Sequence, residues 1–204
     1  MFRITESFSA FIKEYPVTTA IAFICLLQGA VTMLLGGYTA ETRLLLGAYD
    51  ANAVDDGAYW RLLTYAFGHM SLFHLLLNIP FVVLLARPLE KRMGHSLFLL
   101  SYVILSIGAG MTIHFFSSYP VPLAGSSGPA FGLIGIYLYL IWQQKQLIAR
   151  SDRSSILLFS SIAFLSTFLI PTISIAGHLG GLLSGFLFAL LLSLRSGTFS
   201  KITS

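Results

Sequence analysis

The chain has 204 residues, of which 56% are hydrophobic and only 10% charged, and its formal net charge is +4. A soluble domain carries about a quarter charged residues, so this composition excludes an ordinary water-soluble globule and points to a membrane protein. The excess positive charge forms no basic cluster on a soluble segment, which argues against nucleic acid as a partner, and a single cysteine (Cys25) excludes an intramolecular disulfide framework.

Crossing the hydrocarbon core takes about 20 mostly apolar residues, within a range of about 17 to 25. Six stretches qualify, and the spans predicted in chain order are residues 16–37, 71–86, 96–116, 127–142, 155–170 and 174–194. Cys25 falls in the first, where it is lipid-facing or packing material. That span follows Lys13 and precedes small residues, as a signal peptide would. Its apolar stretch exceeds the core of about 7 to 15 residues typical of such peptides, so it is read as retained. The 38–60 connection is mildly acidic, with Glu41, Asp50, Asp55 and Asp56, yet it also holds Leu44, Leu45, Leu46, Tyr49, Tyr59 and Trp60. It reads equally as a segment lying in the membrane interface and as a folded loop packed on the helices. Nothing repeats at a fixed period and no low-complexity linker divides the chain, so one domain over residues 1–204 is expected.

The charges orient these spans. Arg3, Lys13, Arg87, Lys91, Arg92, Lys145, Arg150, Arg153, Arg195 and Lys201 fall on one side, and only Arg43 and Arg61 on the other. By the positive-inside rule, both termini and the even-numbered connections are cytoplasmic. The second, fourth and sixth spans then all start from the outer face, which sets the polar residues near their starts at similar depth. His69, His74 and Asn78 open the second, and the last two share a helical face. Gly125-Ser126-Ser127-Gly128, followed by Pro129, opens the fourth. Gly177-His178 opens the sixth, which continues through Gly181 and Gly185. Ionisable residues inside a membrane are costly and face a protein interior or a water-filled cavity, so three such helices suggest one shared cavity. The steps Gly128/Gly132 and Gly177/Gly181/Gly185 let helix backbones approach closely; if those faces meet, Ser127 and His178 come within reach. Such glycine steps also occur in membrane helices for packing alone.

Among ways to cut a peptide inside a membrane, a zinc mechanism wants His-Glu-x-x-His, which is absent. An aspartyl mechanism needs two carboxylates sharing a site. No Asp or Glu sits within the six predicted spans, Glu90 and Asp152 being placed in cytoplasmic turns. What remains is serine activated by histidine, as a dyad with no carboxylate partner. Pro129 suits the first turn of a helix, which puts Ser127 at the helix start among free backbone N–H groups. The Ser127 amide, assisted by the His74 and Asn78 side chains, is placed to stabilise an oxyanion. No metal or organic cofactor is implied.

These residues resemble the rhomboid family of intramembrane serine proteases. Gly125-Ser126-Ser127-Gly128 is similar to its Gly-x-Ser-Gly motif, and His178-Leu179-Gly180-Gly181 with Gly185 to its His-x-x-Gly-x-x-x-Gly helix. His69, His74 and Asn78 resemble its His-x-x-x-x-His-x-x-x-Asn segment. Trp60-Arg61 resembles the Trp-Arg pair before that helix, and Glu90-Lys91-Arg92 with Gly94 the turn after it. The matches run in family order from residue 60 to 185. The resemblance implies an all-α, six-helix bundle of the basic bacterial type, and a short N-terminus without an Arg-rich, amphipathic transit segment favours a bacterial plasma membrane. It implies cleavage of transmembrane segments of other proteins by Ser127 as nucleophile and His178 as base and then acid. His74 and Asn78 would help form the oxyanion hole, and His69 would hold the nearby loop. Phe131 stands where many relatives have tyrosine and would pack against the base. Ser126 competes with Ser127 within the motif, and the spacing to Gly128 selects Ser127.

Two other classes stay open at this level. One is a catalytically inactive rhomboid-like protein that binds membrane clients; the presence of both Ser127 and His178 argues against it, since such relatives usually lose one or the other. The second is a small transporter, for which inverted repeats and broken helices at the bilayer midplane would speak. Neither is found. The substrate and the oligomeric state are not written in the sequence.

Overall fold

Ten α-helices and no named strand form among the described residues of the computed structural model, which are 6–117, 120–143, 145–169 and 173–194. Arg3, Arg195 and Lys201, which contribute to the charge bias, lie outside the described residues, as does Ile170 at the predicted end of the fifth span. The helices are α1 (Phe8–Glu14), α2 (Pro16–Leu34), α3 (Ala40–Leu45), α4 (Ala51–Asp55), α5 (Arg61–Thr64), α6 (Leu72–Met93), α7 (His95–Phe116), α8 (Ser127–Gln143), α9 (Arg150–Leu169) and α10 (Ile175–Leu194). Five of them (α2, α6, α7, α9 and α10) are long and apolar enough to cross a membrane. At 17 residues, α8 is shorter. Length and composition thus support five of the six crossings expected.

The shortest of the long helices is the central one. α8 packs on α6, α7, α9 and α10, and its side chains from Gly128 to Tyr137 are all buried. Its tightest partner is α10, because glycines leave no side chain between the two backbones. A methyl group on Gly181 would overlap the carbonyl oxygen of Gly128, and one on Gly185 that of Gly132. The glycine steps therefore meet face to face, as close helix approach requires. Leu85, Leu89, Phe98, Tyr102, Leu105, Leu133 and Ile136 fill the core around this seam. Cys25 is buried in the same core rather than facing lipid.

The second span departs from its predicted bounds. Ser71 caps it by accepting the His74 N–H at 3.1 Å, and it continues through Pro80 and Pro88 to Met93 instead of ending near Ala86. It stops at Gly94, whose φ of +75° lies in the left-handed region that favours glycine. Glu90 is therefore not in a turn. It is fully buried inside α6 and accepts three hydrogen bonds from the start of α2: Val17 N–H at 2.9 Å, Thr18 N–H at 2.8 Å and Thr18 O–H at 2.6 Å. An α-helix leaves its first N–H groups without intrahelical partners, and here a carboxylate from another helix takes two of them. His95 Nδ1 lies 2.8 Å from the same carboxylate. Arg87 pairs with Glu6 at 2.6 Å, and Lys91 pairs with Glu14, so α1 and the start of α2 are tied to this end of α6.

The 38–60 connection folds onto the helices. Tyr49 and Val54 are buried with Tyr65, Ala66, Ala109 and Ile113. Arg61 holds the loop by donating to the carbonyls of Leu44 and Ala48, both at 2.8 Å, with its guanidinium 4.5 Å from the Trp60 ring centroid. Leu45, Tyr59 and Trp60 remain exposed, and the reading of a folded loop packed on the helices holds for the face that carries Tyr49 and Val54. The loop also positions the segment that leads into α8. Tyr49 and Leu123 exchange a pair of backbone hydrogen bonds at 2.8 Å each, Arg43 Nε donates to the Pro122 carbonyl at 3.2 Å, and the Gly125 N–H donates to the Tyr65 carbonyl at 3.0 Å. His114 lies 3.3 Å from the Tyr49 hydroxyl and 3.4 Å from Asp55.

Candidate active site

The chain from Leu123 to Gly125 arrives extended and pinned to the loop, and the helix α8 begins at Ser127. Ser127 therefore stands at the N-terminus of an α-helix, where unpaired N–H groups and the positive end of the helix dipole are found. On α10, Ser174 accepts the Gly177 N–H at 3.1 Å and fixes the start of the helix that presents His178. The glycine seam between α8 and α10 then brings the two side chains to one place. Ser127, His178 and His74 all line a single cavity of about 230 Å³, together with Gly125, Gly128 and Gly177. Its other walls are mostly apolar, including Tyr65, Met70, Phe73, Leu77, Ile113 and Leu123.

His178 is buried and held on two sides. Phe131, one helical turn beyond Ser127, stacks on its ring with centroids 3.9 Å apart and planes 17° from parallel. Its Nδ1 lies 2.8 Å from the Thr167 hydroxyl of α9. Its Nε2 is buried and has no hydrogen bond to any described residue. Ser127 and His178 thus share the cavity without being hydrogen-bonded in this state.

The two motif serines are separated by their surroundings. Ser126 is buried, and its hydroxyl lies 3.2 Å from His69 Nε2. Ser127 is partly exposed and faces the cavity. His69 is buried against the His74 ring, centroids 5.3 Å apart. His74 Nδ1 accepts the Met70 N–H at 3.4 Å, which leaves Nε2 as the protonated nitrogen of the neutral ring. The ring edge packs on Gly125, where an added methyl carbon would sit 2.9 Å from His74 Cε1. Asn78 is buried one turn further along α6 and donates to the His74 carbonyl at 2.9 Å; it is not part of the cavity wall. The predicted site residues therefore gather in one region, with His69 and Asn78 set back from the cavity wall. Thr167 was not singled out in the sequence. It sits in the Ser/Thr-containing apolar run of α9, where nothing marks one hydroxyl above its neighbours.

Fold and site together define an integral, multi-pass membrane protein with a serine and a histidine facing a shared cavity. The Rhomboid domain family model matches residues 56–195. The chain belongs to the rhomboid family. It is 35% identical over 199 residues to YdcA of Bacillus subtilis (strain 168), which carries a provisional rhomboid protease name; the match covers 94% of this chain and 96% of YdcA. It is 32% identical over 167 residues to the rhomboid protease GluP of the same strain, over 81% of this chain but only 32% of GluP. It is also 29% identical over 128 residues to inactive rhomboid protein 1 of Papio anubis, over 62% of this chain and 15% of that protein. Family membership is thus compatible with both cutting and non-cutting proteins, and the choice falls to the site.

Proposed function

We propose that this protein is an intramembrane serine endopeptidase that cleaves transmembrane segments of other membrane proteins with a Ser127–His178 dyad. The observation that carries the reading is that Ser127 and His178 face one cavity across a backbone seam of glycines, with the imidazole held by Phe131 and Thr167. In this account residues 1–204 act as one integral membrane domain. α8 is the sixth crossing, and at about 17 residues it reaches the lower limit of a span because it is enclosed by other helices. Both ends of the chain are cytoplasmic by the charge bias, and Bacillus relatives favour a bacterial plasma membrane.

Each group has a chemical task. His178 Nε2, with its lone pair free, takes the Ser127 proton as the Oγ attacks the scissile carbonyl carbon. The short closing motion needed is ordinary, because catalytic hydrogen bonds tighten when substrate binds. The oxyanion is stabilised by the Ser127 N–H at the helix start and by the His74 Nε2–H, whose proton is set by the Met70 N–H on the other ring nitrogen. The imidazolium then protonates the leaving amine, and the carbonyl carbon remains as an ester on Ser127. Water entering the cavity gives a proton to His178 as it attacks that ester, and His178 returns the proton to the departing Ser127 Oγ, freeing the new carboxyl end. Asn78 braces His74 through its carbonyl, and His69 occupies Ser126 and keeps it out of the cavity.

The test is cleavage of a tagged transmembrane substrate in proteoliposomes by wild type, Ser127→Ala, Ser126→Ala and His178→Ala at equal folded amounts. Loss in Ser127→Ala and His178→Ala with activity kept in Ser126→Ala is expected. Cleavage surviving in Ser127→Ala would remove the assigned nucleophile. One observation favours a second reading, a client binder that does not cut: the unjoined Ser127 and His178. A wild-type protein that retains a transmembrane client without cutting it would select that reading.

A further inference from the structure

Thr167 is one of only two buried residues of α9, with Ile156 as the other, and the rest of that helix is largely exposed. Its hydroxyl makes two contacts: it donates to the Ala163 carbonyl at 2.9 Å and lies 2.8 Å from His178 Nδ1. A threonine hydroxyl has one proton and a carbonyl can only accept. When that proton goes to Ala163, the remaining contact is satisfied only if His178 Nδ1 carries a hydrogen and donates it to Thr167. A neutral imidazole with its proton on Nδ1 has its lone pair on Nε2, the buried nitrogen that has no hydrogen-bond partner among the described residues.

We infer that Thr167 is a positioning residue that fixes His178 in the Nδ1–H form, so that the competence of the base depends on α9 being seated against α10. The inference rests on the protease reading for its consequence, but not for the proton's location. The opposite form would put hydrogen on Nε2, forfeit the Thr167–Ala163 bond and leave the imidazole unable to accept a proton from Ser127. Thr167 is not part of the cavity wall, so its effect on the cavity passes through His178. Apart from Ile156, α9 has no other buried side chain with which to report its position.

The test uses the full chain in detergent micelles with 15N-labelled histidine, comparing wild type, Thr167→Val, Thr167→Ala and Thr167→Ser. The 15N resonances of His178, assigned with His178→Ala, show which ring nitrogen holds the proton. Wild type and Thr167→Ser are expected to hold it on Nδ1, and the valine and alanine variants to move it partly or wholly to Nε2. For a tagged transmembrane substrate, kcat is expected to fall at least about tenfold in the variants lacking the hydroxyl, since a histidine in the wrong tautomer is a poor base. KM should stay within about twofold, and serine should restore kcat. The alanine variant, which fills less space, keeps the result decisive if valine does not fit. An unchanged His178 tautomer without the hydroxyl, or a changed tautomer with unchanged kcat, would overturn the inference. A wild-type protein that neither cuts nor reacts with a fluorophosphonate would instead overturn the protease reading, and the tautomer alone would then decide the role of Thr167.

Discussion

The Phe131 ring lies almost flat on the His178 imidazole, 3.9 Å between centroids, and the two come from helices that meet through glycine. Stacking holds the imidazole plane while leaving both ring nitrogens at its edge, one toward Thr167 and one unpartnered. Such aromatic contacts contribute about 0.5–1.5 kcal/mol beyond the area they bury. Phe131→Leu, which keeps an apolar side chain of useful size, is therefore expected to lower cleavage about two- to tenfold at equal folded amounts. A leucine variant that cuts as fast as wild type would show that Phe131 fills space and does not hold the base.

His74 and Asn78 share a face of α6, and the roles proposed for them differ. His74 borders the cavity with Nε2–H available, whereas Asn78 does not border it and donates one of its amide N–H groups to the His74 carbonyl. Removing one oxyanion donor costs about 10²–10³ in kcat, so His74→Ala is expected to fall by that much with little change in KM. Asn78→Ala should lose less than about tenfold, through slackening of the His74 turn, because a single neutral hydrogen bond contributes about 0.5–1.5 kcal/mol. Single-turnover kinetics on both variants checks this, and equal losses would mean that the Asn78 amide reaches the oxyanion itself.

Glu90 is a stability prediction far from the chemistry. It is fully buried and carries the only side-chain oxygens that the Val17 and Thr18 N–H groups donate to among the described residues. Leaving a buried N–H without its acceptor costs about 1–3 kcal/mol. Glu90→Ala is thus expected to lower Tm in detergent strongly, and Glu90→Gln, which keeps an acceptor, less so. Equal Tm for Glu90→Ala and wild type would contradict the buried cap.

These residues also mark where sequence reading works and where it stops. Apolar runs locate the helices because spanning length is a local property, and Ser127 and His178 stand out because polar groups at one depth must share a cavity. The α8–α10 seam was legible too, since glycines four apart announce close approach. Glu90 was misplaced for a physical reason: in a charged stretch beside Lys91 and Arg92 it reads as part of a cytoplasmic turn, and only the start of α2, some seventy residues earlier, makes it a buried cap. The Tyr49–Leu123 backbone pair has no side-chain signature at all. Thr167 was hidden because its importance depends on which of several α9 hydroxyls turns toward His178, a matter of helix rotation that the composition of α9 does not encode.

The most direct measurement is a fluorophosphonate reaction with the purified protein, with mass spectrometry of the labelled peptide. The reagent needs an activated serine but no knowledge of the natural substrate. The account predicts one adduct, on Ser127, that is lost in His178→Ala and kept in Ser126→Ala. An adduct on Ser126, or labelling of Ser127 that continues at the wild-type rate without His178, would contradict it.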